Sequence, residues 1–85
     1  MRLTKRDNTK ARALFTEALK LDARYADAYA GLGWTYTIGV LSQWSRNPQA
    51  DMAHASELAR KALMLDDSNL LALALLSKND LFGGE

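Results

Sequence analysis

The chain has 85 residues, 48% hydrophobic and 25% charged, the balance of a single globular domain rather than of a disordered or fibrous chain. A formal charge of +1 sets up no strong field toward nucleic acid or a membrane, and no apolar run approaches the roughly 18 residues of a membrane span. The absence of cysteine excludes a disulfide framework and thiolate metal sites; with no apolar segment behind Met1-Arg2-Leu3-Thr4-Lys5-Arg6 to act as a signal peptide, a cytoplasmic protein is expected.

Thr4-Lys5-Arg6-Asp7 has the form of a capping box with Asp in place of Glu, so a first helix is expected from there to about Leu21. Ala11, Leu14, Phe15, Ala18 and Leu21 recur at helical spacing as its buried stripe, with Leu19 at the flank. Five of the eleven basic residues, Arg2, Lys5, Arg6, Lys10 and Arg12, crowd into its start. They read as a phosphate-binding footprint or as a solvated helix face, and near a terminus the solvated face is favoured.

A second helix is expected over Ala26 to Gln43, with Trp44 near its end. Tyr29, Leu32, Gly33 and Tyr36 fall on one face at the i, i+3, i+4, i+7 spacing. Glycine inside a helix costs about 1 kcal/mol against Ala, so Gly33 implies a neighbouring helix too close for a Cβ. The following segment continues apolar through Val40, Leu41 and Trp44, either as a lengthened helix or as a loose loop around Gly39. Asn47-Pro48 offers an N-cap and an N1 proline for a third helix to Leu65.

The third helix presents Ala55, Ala59 and Ala62 with Leu58 and Leu65, small residues that suit close packing against Gly33. Ala59 stands where the first helix has Phe15, and Trp34 or Trp44 is expected to fill the space. Ser68 or Asp67 caps a fourth helix from about Asn69 to Phe82. Leu70, Leu71, Leu73, Leu75, Leu76, Leu81 and Phe82 surround it, so it reads as buried and as lacking a partner within the chain.

The helices repeat. Ala11, Leu14, Ala18, Leu19, Leu21 and Asp22 recur as Ala55, Leu58, Ala62, Leu63, Leu65 and Asp66, a constant shift of 44 (55 − 11 = 44), and Ala28, Ala30 and Leu32 recur at the same shift as Ala72, Ala74 and Leu76. One shift shared by two helix types marks a duplicated helix pair, the signature of a repeat array. Within that pattern, Tyr29-x-x-Leu32-Gly33-x-x-Tyr36 resembles the first helix of a tetratricopeptide repeat, with Tyr in place of Trp. The repeat here is about ten residues longer than the usual ~34, and the surplus falls between Tyr36 and Ala55, where lengthening both helices of a hairpin would absorb it. The prolines that usually end such units are replaced by Ala23 and Asp67.

The resemblance implies an all-α fold of about four helices, antiparallel hairpins of a right-handed superhelix. Residues 4–22 would be the second helix of one repeat, 25–66 a full repeat and 68–82 the first helix of the next. It further implies a fragment of a longer array, or a chain that completes itself by self-association through Leu73, Leu76 and Phe82. Together with the Gln43-Trp44-Ser45 insert and Leu58-Ala59-Arg60-Lys61-Ala62-Leu63, the pattern looks like tetratricopeptide segments beside bacterial class III adenylate/guanylate cyclase domains. The implied role is a non-catalytic protein-binding module of a signalling protein, alternatively a regulatory region of such a cyclase. Partners would be proteins, peptides, neighbouring repeats or a second copy, with no nucleic acid and no membrane. In tetratricopeptide arrays the first helices line a concave groove; carried over, that groove takes Asp27, Ala30, Trp34, Thr37 and Ile38, joined by Leu71, Ala74 and Lys78. Trp34 is its natural anchor, or else packs beneath the long insert. Ala30 and Trp34 stand where carboxylate-clamping repeats use Lys and Asn, which argues against that kind of peptide clamp.

No catalytic, cofactor or metal site is expected. Gly31-x-Gly33 lacks the third glycine and the preceding strand of a dinucleotide fingerprint. His54 is the only histidine; a metal there would need Asp51 and Glu57, and a solvated histidine is the simpler reading. One histidine without a convergent nucleophile makes no hydrolytic triad.

Overall fold

A computed structural model describes residues 4–83, with side chains described as far as Lys78. It consists of four helices: α1 Lys5–Leu21, α2 Ala26–Leu41, α3 Pro48–Leu65 and α4 Leu70–Gly83. Consecutive helices form antiparallel hairpins, and the fold is all-α among the described residues. None of its helices is long and apolar enough to cross a membrane.

The ends of the helices follow from local chemistry. Thr4 caps α1 by accepting from Asp7 N–H (3.1 Å), and Asn47 caps α3 by accepting from Ala50 N–H (3.2 Å) with Pro48 at the first helical position. α2 stops at Leu41 instead of reaching Gln43. Gln43 takes φ 62°, Gln43 N–H donates to Val40 O (3.1 Å) and Trp44 N–H to Gly39 O (2.7 Å). This is a Schellman termination with glutamine where glycine is usual. The long hairpin is therefore made of 16- and 18-residue helices joined by residues 42–47. At α4 the cap is Asn69 rather than Ser68 or Asp67: its side-chain oxygen accepts from Ala72 N–H (2.9 Å).

The duplication extends to the backbone. α1 and α3 end at Leu21 and Leu65, and α2 and α4 begin at Ala26 and Leu70, both 44 residues apart. Asp22 and Asp66 close their helices with nearly equal dihedral angles (φ −146°, ψ 96° and φ −151°, ψ 96°). The bonds recur too: Asp22 N–H to Ala18 O matches Asp66 N–H to Ala62 O, and Tyr25 N–H to Asp22 O matches Asn69 N–H to Asp66 O.

α2 is the centre. It packs against α1, α3 and α4, and Ala28, Ala30, Gly31, Leu32, Gly33, Thr35, Thr37, Gly39 and Val40 are all buried along it. A Cβ on Gly33 would lie 3.1 Å from Ala55 O of α3 and 2.6 Å from a Leu75 methyl of α4. The close neighbour expected from the sequence is thus α3, and α4 presses on the same residue.

The two copies of the hairpin fill their cores differently. Phe15 of α1 lies over Gly31 of α2, its ring 2.4–2.8 Å from where a Cβ would be. Forty-four residues on, the pair is Ala59 and Leu75, both fully buried in one cluster with Ala30, Ala62 and Ala72. Large-on-small has become small-on-large. Leu75 is buried in the same cluster as Ala59. Trp34 packs at the edge of that cluster, and Trp44 lines a polar cavity elsewhere.

Two expectations about burial need correction. In α1 the inward stripe is Asn8, Ala11, Arg12, Phe15, Ala18 and Leu19, whereas Leu14 and Leu21 stand 70% and 88% exposed. Helix α4 does have partners in the chain: it packs on α3 and α2 through Ala72 and Leu75, leaving Leu70, Leu71 and Leu73 exposed. Leu81 and Phe82 lie outside the described side chains.

Three outcomes follow for stability. Phe15→Ala lowers it by about 2 kcal/mol, somewhat less than for a fully buried ring, and adding Gly31→Leu restores a good part of that loss; chemical denaturation of the four species of the cycle measures both. Gly33→Ala is destabilising despite the better helix former, because α3 backbone and Leu75 leave no room. Gly39→Ala, whose Cβ would meet only Arg12 Nη2 at 3.7 Å, gains up to about 1 kcal/mol in the same assay.

Candidate functional site

α2 carries most of the expected groove, and the structure divides those residues sharply. Ala30 and Thr37 are fully buried and offer nothing to a ligand. They point into helix contacts because α2 has neighbours on three sides. Asp27 stays at the surface, but its Oδ1 accepts from Asn69 Nδ2 at 2.6 Å, tying the start of α2 to the start of α4. Trp34 is half-buried, and its Nε1 donates to Leu71 O of α4 (3.2 Å), so it packs against α4 and not beneath the insert. Lys78 and Ala74 are exposed on α4.

What remains is a shallow apolar groove of about 240 Å³. Ala11 and Phe15 form one wall, Trp34 and Ile38 the floor, and Leu71 the far edge. The groove brings together only Trp34, Ile38 and Leu71 of the residues expected there; Ala11 and Phe15 of α1 join them. Sequence periodicity assigned those two to the core, and they serve both.

Beyond the groove lie two further apolar faces. α1 exposes Leu14 and Leu21, and α4 exposes Leu70 and Leu73, with Leu76 half-buried beside them. The internal repeat says what each face is shaped for. At the 44-residue shift, Leu14 of α1 corresponds to Leu58 of α3, whose Cβ lies 3.5 Å from the Cβ position of Gly33. Leu73, Leu76 and Ser77 of α4 correspond to Tyr29, Leu32 and Gly33 of α2. In the α2–α3 hairpin these faces meet; on α1 and α4 both are open.

The α1–α2 junction also holds a polar tie that the sequence did not reveal. Thr35 O accepts from both Asn8 Nδ2 (2.9 Å) and Arg12 Nη2 (3.2 Å), and Thr35 Oγ1 accepts from Arg12 Nε (3.1 Å) while donating to Leu32 O (2.6 Å). The Arg12 guanidinium lies 3.8 Å over the Tyr36 ring. Asn8 and Thr35 are buried, so each of these bonds forms away from bulk water, where an unmade bond would be costly. Of the basic run, Lys5, Arg6 and Lys10 are solvated, but Arg12 is a packing residue. Arg2 lies outside the described residues.

His54 contacts Tyr36 edge-on (4.7 Å) and has Glu57 Oε2 3.9 Å from its Nδ1, while Asp51 turns away to accept from Ser45 Oγ (2.6 Å). Among the described residues no three His, Cys, Asp or Glu side chains cluster as a metal site would need. Comparison with protein-family models, curated proteins and solved structures found no significant match.

Proposed function

We propose that the chain is a non-catalytic protein-interaction module of the tetratricopeptide kind, cytoplasmic, whose first partner is a second copy of itself. The observation that supports this is the pair of open faces. α4 carries the face that α2 uses to receive α3, and α1 carries the face that α3 uses to meet α2. Seating α4 of one copy against α1 of the next repeats the internal hairpin across two molecules. Leucines fill it, and the burial of each is worth roughly 1.5–3 kcal/mol. Such a contact is head-to-tail, using different surfaces on the two copies. It extends into an open array or a ring instead of closing as a two-fold dimer. The apolar groove beside Trp34 stays free in that arrangement for a peptide partner, with Trp34, Ile38 and Leu71 as its contact residues.

Sedimentation equilibrium from low to high micromolar tests the reading. The weight-average mass is expected to climb with concentration past that of a dimer, and Leu73→Glu, on an exposed position, to hold the chain as a folded monomer by circular dichroism. A wild-type monomer across the whole range contradicts self-association. A mass that stops at two copies contradicts the head-to-tail arrangement.

A further inference from the structure

A second cavity, of about 310 Å³, opens between the start of α1 and the turn that joins α2 to α3. Lys5, Arg12 and Arg46 line it, Trp44 forms part of its wall, and Asp51 is its one carboxylate. Arg12 is half-buried and held rigid from behind by its bonds to Thr35 and by the Tyr36 ring. Yet among the described residues its charge has no counter-ion. The ion pairs of the described residues, Lys20–Glu17 and His54–Glu57, involve none of the three cations. Asp51 is engaged by Ser45 Oγ and lies within 4 Å of no cationic nitrogen.

A guanidinium withdrawn from water without a carboxylate favours an anion beside it. Three cations against one carboxylate leave two positive charges, which match the charge of about −1.5 to −2 on a phosphomonoester at neutral pH. The volume sits at the lower end of the range for small-ligand pockets, roughly 300–1,000 Å³, which suits a phosphate with a small ester group and no more. Trp44 offers an apolar surface to that group. We propose that this cavity binds a small phosphomonoester dianion, with Arg12 as the fixed contact, Lys5 and Arg46 as mobile ones, and Trp44 against the ester group. This proposal is independent of self-association, which uses the exposed leucines of α1 and α4.

The two tryptophans make the test internally controlled, since Trp44 lines this cavity and Trp34 the apolar groove. Inorganic phosphate and phenyl phosphate are titrated at constant ionic strength into nitrogen-15-labelled protein, and both indole N–H resonances are followed. Trp44 is expected to shift saturably while Trp34 stays still, with phenyl phosphate the tighter ligand. Lys5→Gln/Arg46→Gln, both solvated and so without effect on the circular dichroism spectrum, is expected to weaken binding about ten-fold by removing two charge-assisted contacts. The proposal is overturned by a linear shift without saturation, by equal movement of both indoles, by unchanged affinity in the double variant, or by a response to single-stranded DNA with none to phosphate.

Discussion

The structure depends on how little room surrounds α2. Three helices lie against it, and α2 gives up side-chain volume at two of the points where they press on it. Gly31 admits the Phe15 ring, and Gly33 admits the backbone of α3 together with a methyl of Leu75. Each glycine weakens the helix by about 1 kcal/mol on propensity alone, and tight packing along both sides more than offsets it. Thr37 and Ala30, which a groove reading would place at the surface, are buried by the same crowding.

That constraint explains why the two hairpins are alike in backbone and unlike in packing. The turns at Asp22 and Asp66 share their dihedral angles and hydrogen bonds. The volumes across each interface are exchanged, Phe15 with Gly31 in one and Ala59 with Leu75 in the other. A duplicated scaffold tolerates this because each pair conserves total volume. The residues of the Asn8–Arg12–Thr35 tie are not repeated in sequence: Met52, Ser56 and Asn79 stand at the matching positions of the second hairpin. The tie holds Arg12 at the edge of the polar cavity.

Much of the fold was legible in the sequence because its signals are local. Asn47-Pro48 fixed the start of α3, Thr4 that of α1, and the 44-residue shift the relation between the hairpins. What was not legible depends on two helices at once. Periodicity finds an apolar stripe but not which side of it has a neighbour, so Leu14 and Leu21 were expected inside and stand exposed. Leu75 as the partner of Ala59 is visible only when positions 15, 31, 59 and 75 are read together. Arg12 was hidden in a run of solvated cations, and the end of α2 was hidden because Gln43 takes a conformation usually given to glycine. Of the candidate site, Trp34, Ile38 and Leu71 were found, and the wall that α1 contributes was missed.

In the proposed self-association the face of α4 receives the face of α1 from another copy. The internal hairpin supplies the gauge. Gly33 and Leu58 place their Cβ positions 3.5 Å apart, within disulfide range, and their counterparts are Ser77 and Leu14. The chain has no cysteine of its own. Leu14→Cys and Ser77→Cys proteins, prepared separately, mixed and oxidised, should yield a covalent pair that neither gives alone, read on a non-reducing gel. No cross-link in the mixture, or equal cross-linking within each variant alone, would contradict the claim.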